Sequence, residues 1–143
     1  MLVKQILKEK PATQVATIAP DAPVSDAVAI LSERRIGAVV VSDGGAVVGI
    51  LSERDIVREI GKRGPGCLSD EVSEMMTGHP TTCTRDDAAD RVLQIMTEGR
   101  FRHLPVVEDG AMIGLISIGD VVKARLSELS AESSALQEMI MGH

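Results

Sequence analysis

The sequence holds almost no aromatic side chains: one phenylalanine, Phe101, and no tryptophan or tyrosine in 143 residues. Proteins that grip single-stranded nucleic acid stack bases on several rings, and this chain has none to spare. Positive charge is also scarce, with 15 lysines and arginines against 21 acids, a formal charge of −6 and a pI near 5.0. A surface that neutralises phosphodiesters needs the reverse balance, so nucleic-acid binding is excluded. There are two cysteines, Cys67 and Cys83, in neither a CxxC nor a zinc spacing. Nothing in them calls for an oxidising compartment. No apolar run approaches the roughly 18 residues of a membrane span, and charge enters within the first ten residues, too early for a secretory signal. The expectation is a cytoplasmic chain with no membrane partner.

What is present is a repeat. Gly49-Ile-Leu-Ser52-Glu-Arg-Asp55-Ile-Val57 and Gly114-Leu-Ile-Ser117-Ile-Gly-Asp120-Val-Val122 are one phrase written twice, 65 residues apart. Sliding residues 15–60 onto 80–125 without a gap makes 12 of 46 positions identical, Arg35/Arg100 and Gly49/Gly114 among them. Many other pairs exchange one apolar residue for another. Such periodic self-similarity marks a duplicated structural unit.

Each copy changes its hydrophobic period in a fixed order. A short extended piece, Val15–Ile18, comes first. Val24, Ala27, Val28, Ile30 and Leu31 then form a helical stripe behind a Ser25–Asp26 start signal. Val39-Val40-Val41 and residues 46–51 read as strands joined by an Asp43-Gly44-Gly45 turn, and Ser52 opens a helix that Gly61 ends. The second copy matches, with Glu108-Asp109-Gly110 as its turn; Pro105 removes a ladder donor and implies an edge or a bulge. The fold class is therefore α/β, a tandem pair of strand–helix–strand–strand–helix repeats. Repeat 1 with a lead-in helix at 2–8 is placed at 1–62, a linker at 63–72, and repeat 2 at 73–143, led in by 72–76. The last helix runs to about residue 140. Its residues Val122, Leu126, Leu129, Ser133, Leu136 and Ile140 alternate in steps of four and three, a coiled-coil-like stripe that suits a partner subunit. A homodimer is expected.

The repeated phrase has chemistry in it. Glycine at a strand end lets backbone approach a ligand closely. Serine at the next helix start puts a hydroxyl beside free N–H groups, where the helix dipole favours phosphate. An aspartate one turn on can accept from vicinal hydroxyls. Gly–x–x–Ser–x–x–Asp therefore suits a ribose phosphate, although Ser–x–x–Asp is equally an ordinary capping pair.

The doubled motif and the strand order around it resemble the cystathionine β-synthase (CBS) domain family, in which two such repeats pack as a pair. The similarity covers residues 1–125 and includes Arg102-His103-Leu104-Pro105-Val106-Val107. It extends to short stand-alone bacterial CBS-pair proteins often described as related to the dehydrogenase of inosine monophosphate, though this chain carries no dehydrogenase barrel. The resemblance implies that clefts between the repeats bind an adenosine nucleotide: AMP first, with ADP, ATP or NAD as alternatives. It implies that Asp55 and Asp120 hold ribose hydroxyls and that Ser52 and Ser117 face ribose or phosphate. Adenine would lie against Ala16, Ile36 and Ala38 in the Asp120 cleft, and against Thr81, Phe101 and His103 in the Asp55 cleft. Arg102 and His103 stand where the family meets phosphate, while their counterparts are Gly37 and Ala38. Arg54 precedes Asp55, but Gly119 precedes Asp120. On that basis Arg102 and His103 make the Asp120 cleft the tighter AMP site.

Elsewhere the residues read plainly. His79, His103 and His143 do not form a spaced metal-ligand set. Cys67 and Cys83 read as an ordinary thiol and a small strand residue, and Met75 and Met76 as gap fillers. Glu33-Arg34-Arg35 reads as a solvated helix end. No catalytic triad, P-loop or GxGxxG is present. The expectation is a nucleotide-sensing module with no catalysis and no catalytic cofactor, acting on a protein partner that the sequence does not name. Its rivals are a scaffold of the same fold with no ligand, and a small nucleotide-hydrolysing enzyme, which would need a base or a metal-binding carboxylate pair.

Overall fold

Both duplicated units fold as their periodicities dictate, in a computed structural model that describes residues 1–9 and 15–141. In repeat 1, β1 (Thr17–Ile18) leads to α2 (Val24–Arg34), β2 (Ala38–Asp43), β3 (Ala46–Ser52) and α3 (Glu53–Arg63). In repeat 2, α5 (Ala89–Gly99) is followed by β5 (His103–Glu108), β6 (Ala111–Ser117) and α6 (Ile118–Met141). Short helices α1 (Val3–Glu9) and α4 (Val72–Met75) precede the repeats, and β4 (Thr77–Gly78) joins β1, β2 and β3 in one sheet; β5 and β6 form the other.

The hairpins turn as expected. Asp43 pairs with Ala46 and Glu108 with Ala111, leaving two-residue loops. Gly44 and Gly45 have φ of 59° and 88°, Asp109 and Gly110 of 52° and 80°. Positive φ at both central residues is the turn whose twist matches the flanking strands. Both hairpins carry a register shift at the same place, between Val41 and Ser42 and between Val106 and Val107.

Pro105 decides a difference between the sheets. In repeat 1 the Val40 N–H donates to the Ala16 carbonyl (3.1 Å), and β1 pairs in parallel with β2. Pro105, the counterpart of Val40, has no N–H to give. The extended segment of repeat 2 is accordingly reduced to one bridge: Cys83 N–H donates to the Pro105 carbonyl (3.0 Å), and Val107 N–H to the Cys83 carbonyl (2.9 Å).

Two expectations are corrected. Gly61 does not end α3; the helix continues to Arg63 and stops at Gly64, whose φ of 78° suits glycine. Ser25 and Asp26 lie inside α2 and do not cap it, because Pro23 is the cap and the first N–H, of Val24, donates to the Asp70 carbonyl (2.8 Å). Within the linker, Pro65–Ser69 is a 3-10 turn that buries Cys67, and Arg63 is paired with Asp70 (2.8 Å).

The larger correction concerns the lead-in helices, which exchange places. Val3 and Ile6 of α1 are buried with Val92, Met96, Leu104, Ile116 and Val121 of repeat 2. Val72 of α4 is buried with Val24, Leu31, Val39 and Leu51 of repeat 1. Backbone bonds fix the exchange. Val3 N–H donates to Asp87 and Ala89 N–H to Met1, while Val72 N–H donates to Ala22. Each repeat alone lacks one wall of its core, and the other repeat's leader supplies it.

The motif glycines belong to this packing. A Cβ built on Gly49 would run into the Met76 sulfur, and one on Gly114 would stand 2.9 Å from Leu7 Cδ2. The expected close approach of a ligand is thus an approach of the exchanged segments. We expect Gly114→Ala to destabilise the fold by about 1–3 kcal/mol, the usual cost of overpacking. Leu7→Ala in the same chain should return part of that loss. Urea unfolding of the two single variants and the double variant checks it; an additive double variant would separate Gly114 from Leu7.

Candidate functional site

The site grows from the β3–α3 corner. Ser52 caps α3: its N–H and Oγ both donate to Asp55 Oδ2 (3.0 and 2.9 Å), and the Asp55 N–H donates to Ser52 Oγ (3.3 Å). The Glu53 N–H donates to the Gly37 carbonyl (2.9 Å). Among the described residues the Arg54 N–H is then the one donor of this first turn with no protein acceptor. A free N–H at a helix start, with the dipole behind it, favours an anion. Repeat 2 builds the same box: Ser117 N–H donates to Asp120 Oδ2 (2.9 Å) and Asp120 N–H to Ser117 Oγ (3.1 Å).

Both readings of the Ser–x–x–Asp pair therefore meet in one side chain. Asp55 Oδ2 accepts twice, and Oδ1 accepts from Arg58 (2.7 Å). A carboxylate offers about four lone-pair sites, so one remains, on Oδ1. Capping and a single hydroxyl contact are compatible.

In front of this corner lies a cavity of about 500 Å³ whose walls come from both repeats. Repeat 1 supplies Gly37, Ile50, Ser52, Glu53, Arg54, Asp55 and Arg58. Thr77, His79, Pro80 and Thr81 form a second wall, and the run Gly99-Arg100-Phe101-Arg102-His103 with Ser117 and Ile118 closes the third. The volume falls within the range of small-molecule and cofactor sites. Four arginines face two carboxylates, in a chain whose net charge is −6. Arg58 is engaged by Asp55. Among the described residues no carboxylate pairs with Arg54, Arg100 or Arg102.

Of the residues expected to bind ligand, Ser52, Arg54, Asp55, Arg102, His103, Ser117, Thr81 and Phe101 line this one cavity. Asp120, Ala16, Ile36 and Ala38 do not line it; they are the counterparts, 65 residues away, of Asp55, Thr81, Phe101 and His103. Arg102 and His103, expected to meet phosphate in the Asp120 cleft, with His103 also beside adenine in the Asp55 cleft, both stand on the wall of the Asp55 cavity. For His103 the reason is steric: Gly37 has no side chain, and its missing Cβ would lie 3.3 Å from His103 Cε1, so the imidazole leans across to repeat 1.

The sequence reading missed Glu53, Arg58, His79 and Arg100. Arg58 sits one helical turn beyond Asp55. Arg100 is one of the twelve residues identical in the two copies and, like Arg35, ends its helix in the left-handed region, with φ of 58°. That conformation costs an L-residue roughly 1–2 kcal/mol and ordinarily falls to glycine. Glycine stands one position early, at Gly99, where a Cβ would overlap the Phe101 ring. His79 is also left-handed, with φ of 49°. Among the described residues no three His, Cys, Asp or Glu side chains converge as metal ligands, and no helix is long and apolar enough to cross a membrane. His143 lies outside the described residues.

Comparison with known proteins agrees with this architecture. The family model described as "CBS domain" matches twice, over residues 3–62 and 72–127. CBS domain-containing protein CBSX3, mitochondrial, of Arabidopsis thaliana is 39% identical over 127 residues, which is 85% of this chain. The chain spans 62% of the length of that relative. The crystal structure of a CBS-domain containing protein from Agrobacterium tumefaciens superposes with a TM-score of 0.83 at 44% identity, covering 87% of this chain and 99% of the other. CBSX2, solved in complex with AMP, superposes with a TM-score of 0.72 at 27% identity, covering 88% and 96%.

Both cysteines are buried, and burial pushes the Cys83 thiol up to about 12. The thiolate is the reactive form, which Cys83 does not offer at pH 8, and burial shields the Cys67 sulfur from reagent, so neither cysteine should react with a thiol reagent until the protein unfolds. The raised value also fixes a sign. The native state holds the Cys83 proton where the unfolded chain has lost it, so stability is full below the ordinary thiol range and falls as pH rises from about 9 to 12. Thiol titration and alkaline melting curves of the parent and Cys83→Ala check both points.

Proposed function

The chain belongs to the CBS domain family, and on that premise we propose that it is an adenosine-nucleotide-binding regulatory module, working as a cytoplasmic homodimer and transforming no substrate. One observation carries this reading: a cavity of nucleotide-site size is walled by both repeats, with a helix start, a carboxylate and, among the described residues, unpaired guanidiniums on its surface. The complex of CBSX2 with AMP supports AMP as the first ligand to test, ahead of ADP, ATP and NAD. In this reading Asp55 accepts a ribose hydroxyl on the remaining lone pair of Oδ1. Ser52 and the Arg54 N–H face ribose or phosphate, Arg102 and His103 meet phosphate, and Thr81 and Phe101 border the base. Asp120, with Ser117, Ala16, Ile36 and Ala38, serves the equivalent cleft of the other half.

A ligand held by both repeats stabilises the relative angle that suits its contacts, and a partner protein that distinguishes the angles reads occupancy. The apolar face of α6 supports the dimer. Val122, Leu126, Leu129, Leu136 and Ile140 are all exposed in the single chain, Leu126 at 62% and Ile140 at 76%. A contiguous stripe of this kind is a liability in water.

With no tryptophan or tyrosine the protein barely absorbs at 280 nm, so a nucleotide that co-purifies dominates the ultraviolet spectrum. We expect a 260 nm band that leaves with the small-molecule fraction on denaturation, or heat on titrating the stripped protein with AMP. Asp55→Ala should weaken AMP by roughly tenfold to hundredfold, the equivalent of losing a hydrogen bond to a charged group. If Asp55 only caps the helix, that variant will melt earlier and bind AMP as the parent does. A flat spectrum and no heat with any of the four nucleotides would leave the ligand-free scaffold standing. Light scattering should give twice the 15.2 kDa chain mass.

A further inference from the structure

We infer that the Asp55 cavity admits a nucleotide only in anionic form, and that Arg100, outside the repeated Ser–Asp motif, is a phosphate-binding residue of that site; this rests on the nucleotide reading above. The inference starts from the backbone. Arg100 holds a left-handed conformation, φ 58°, that glycine would hold without strain. Local strain kept at a cleft wall is a mark of function when the surrounding structure imposes it. The helix end imposes it in both repeats, since Arg35 at the same place has φ 52°, and of the two only Arg100 borders this cavity. His79, on the wall formed by the second leader, is strained in the same sense, φ 49°. Among the described residues, two of the four non-glycine residues with positive φ therefore border one cavity.

Charge points the same way. The Asp55–Arg58 pair cancels itself, and the remaining lining charges are Arg54, Arg100 and Arg102 against Glu53. An uncharged nucleoside or an adenosyl compound bearing a sulfonium would leave this excess unanswered. A phosphate ester answers it through charge-assisted hydrogen bonds, for which the guanidinium fork is the fitting donor.

The test uses Arg100→Gly in the full chain, a substitution that removes the guanidinium and relieves the backbone together. Stability and affinity should then move in opposite directions: the ligand-free variant melts higher than the parent, while AMP binds roughly tenfold to hundredfold more weakly. Adenosine should bind the two proteins alike, and the parent at least tenfold more weakly than AMP does. The binding phase compared is the one that Asp55→Ala weakens, so a second occupied cleft does not enter. Asp109→Gly is the control, since Asp109 has φ 52° in the exposed β5–β6 turn and does not line the cavity; it should melt higher with AMP affinity unchanged. AMP affinity retained in Arg100→Gly would overturn the role of Arg100. Adenosine binding the parent as tightly as AMP would overturn the anion requirement and leave the nucleoside site intact. No binding of either compound to the parent would remove the nucleotide reading and this inference with it.

Discussion

The exchange of the two leaders is the constraint on which the rest of the structure depends. Val3 and Ile6 complete the core of repeat 2, and Val72 completes that of repeat 1. A unit of some 60 residues is marginal as a free-standing domain, because it buries only about 60% of its unfolded surface. Exchanging one wall removes the choice of folding separately. It also draws the segment behind α4 across β3, where β4 pairs with Gly49 and Ile50. That crossing carries Thr77, His79, Pro80 and Thr81 to the mouth of the β3–α3 corner. The cavity wall is a by-product of how the cores are closed.

The motif glycines make the exchange sterically feasible. Gly49 clears Met76 and Gly114 clears Leu7, so one sequence feature serves the same packing role in both halves. The serine and aspartate do a second job at the same corner. In each copy they close a capping box on the helix start. The box fixes the carboxylate in place with a lone pair to spare, at no extra cost in side-chain ordering. A rigid acceptor is a better binding group than a mobile one, since less conformational freedom is lost on contact.

Duplication gave two corners of equal geometry and unequal surroundings. Gly37 faces His103 where the reverse pairing would set Arg102 against Ala38. Both repeats thus bring arginines to the cavity beside Asp55, Arg54 and Arg58 from repeat 1 and Arg100 and Arg102 from repeat 2, and Gly37 leaves the space. Arg58 and Lys123, at corresponding positions one turn beyond each aspartate, show the same drift. Only Arg58 borders the described cavity.

Much of this was legible in the chain itself. The 65-residue period, the glycine hairpins, the paired Ser–x–x–Asp boxes and the helical stripes are local, and local signals follow from backbone sterics and hydrophobic period alone. They determined the repeat order, the turn types and the motif residues Ser52, Asp55 and Ser117 of the cavity wall, while Arg54, Thr81, Phe101, Arg102 and His103 came from the family resemblance. Three matters were decided only in three dimensions. Which core each leader completes depends on packing between residues more than 80 positions apart, such as Val3 and Asp87. How His103 reaches the Asp55 cavity depends on Gly37, a residue in the other repeat whose contribution is an absent side chain. That position 99 must lack a side chain depends on the Phe101 ring, two residues on, turning back onto it. None of these leaves a periodic trace, because each is a contact between particular atoms, and a pattern records only which faces are apolar.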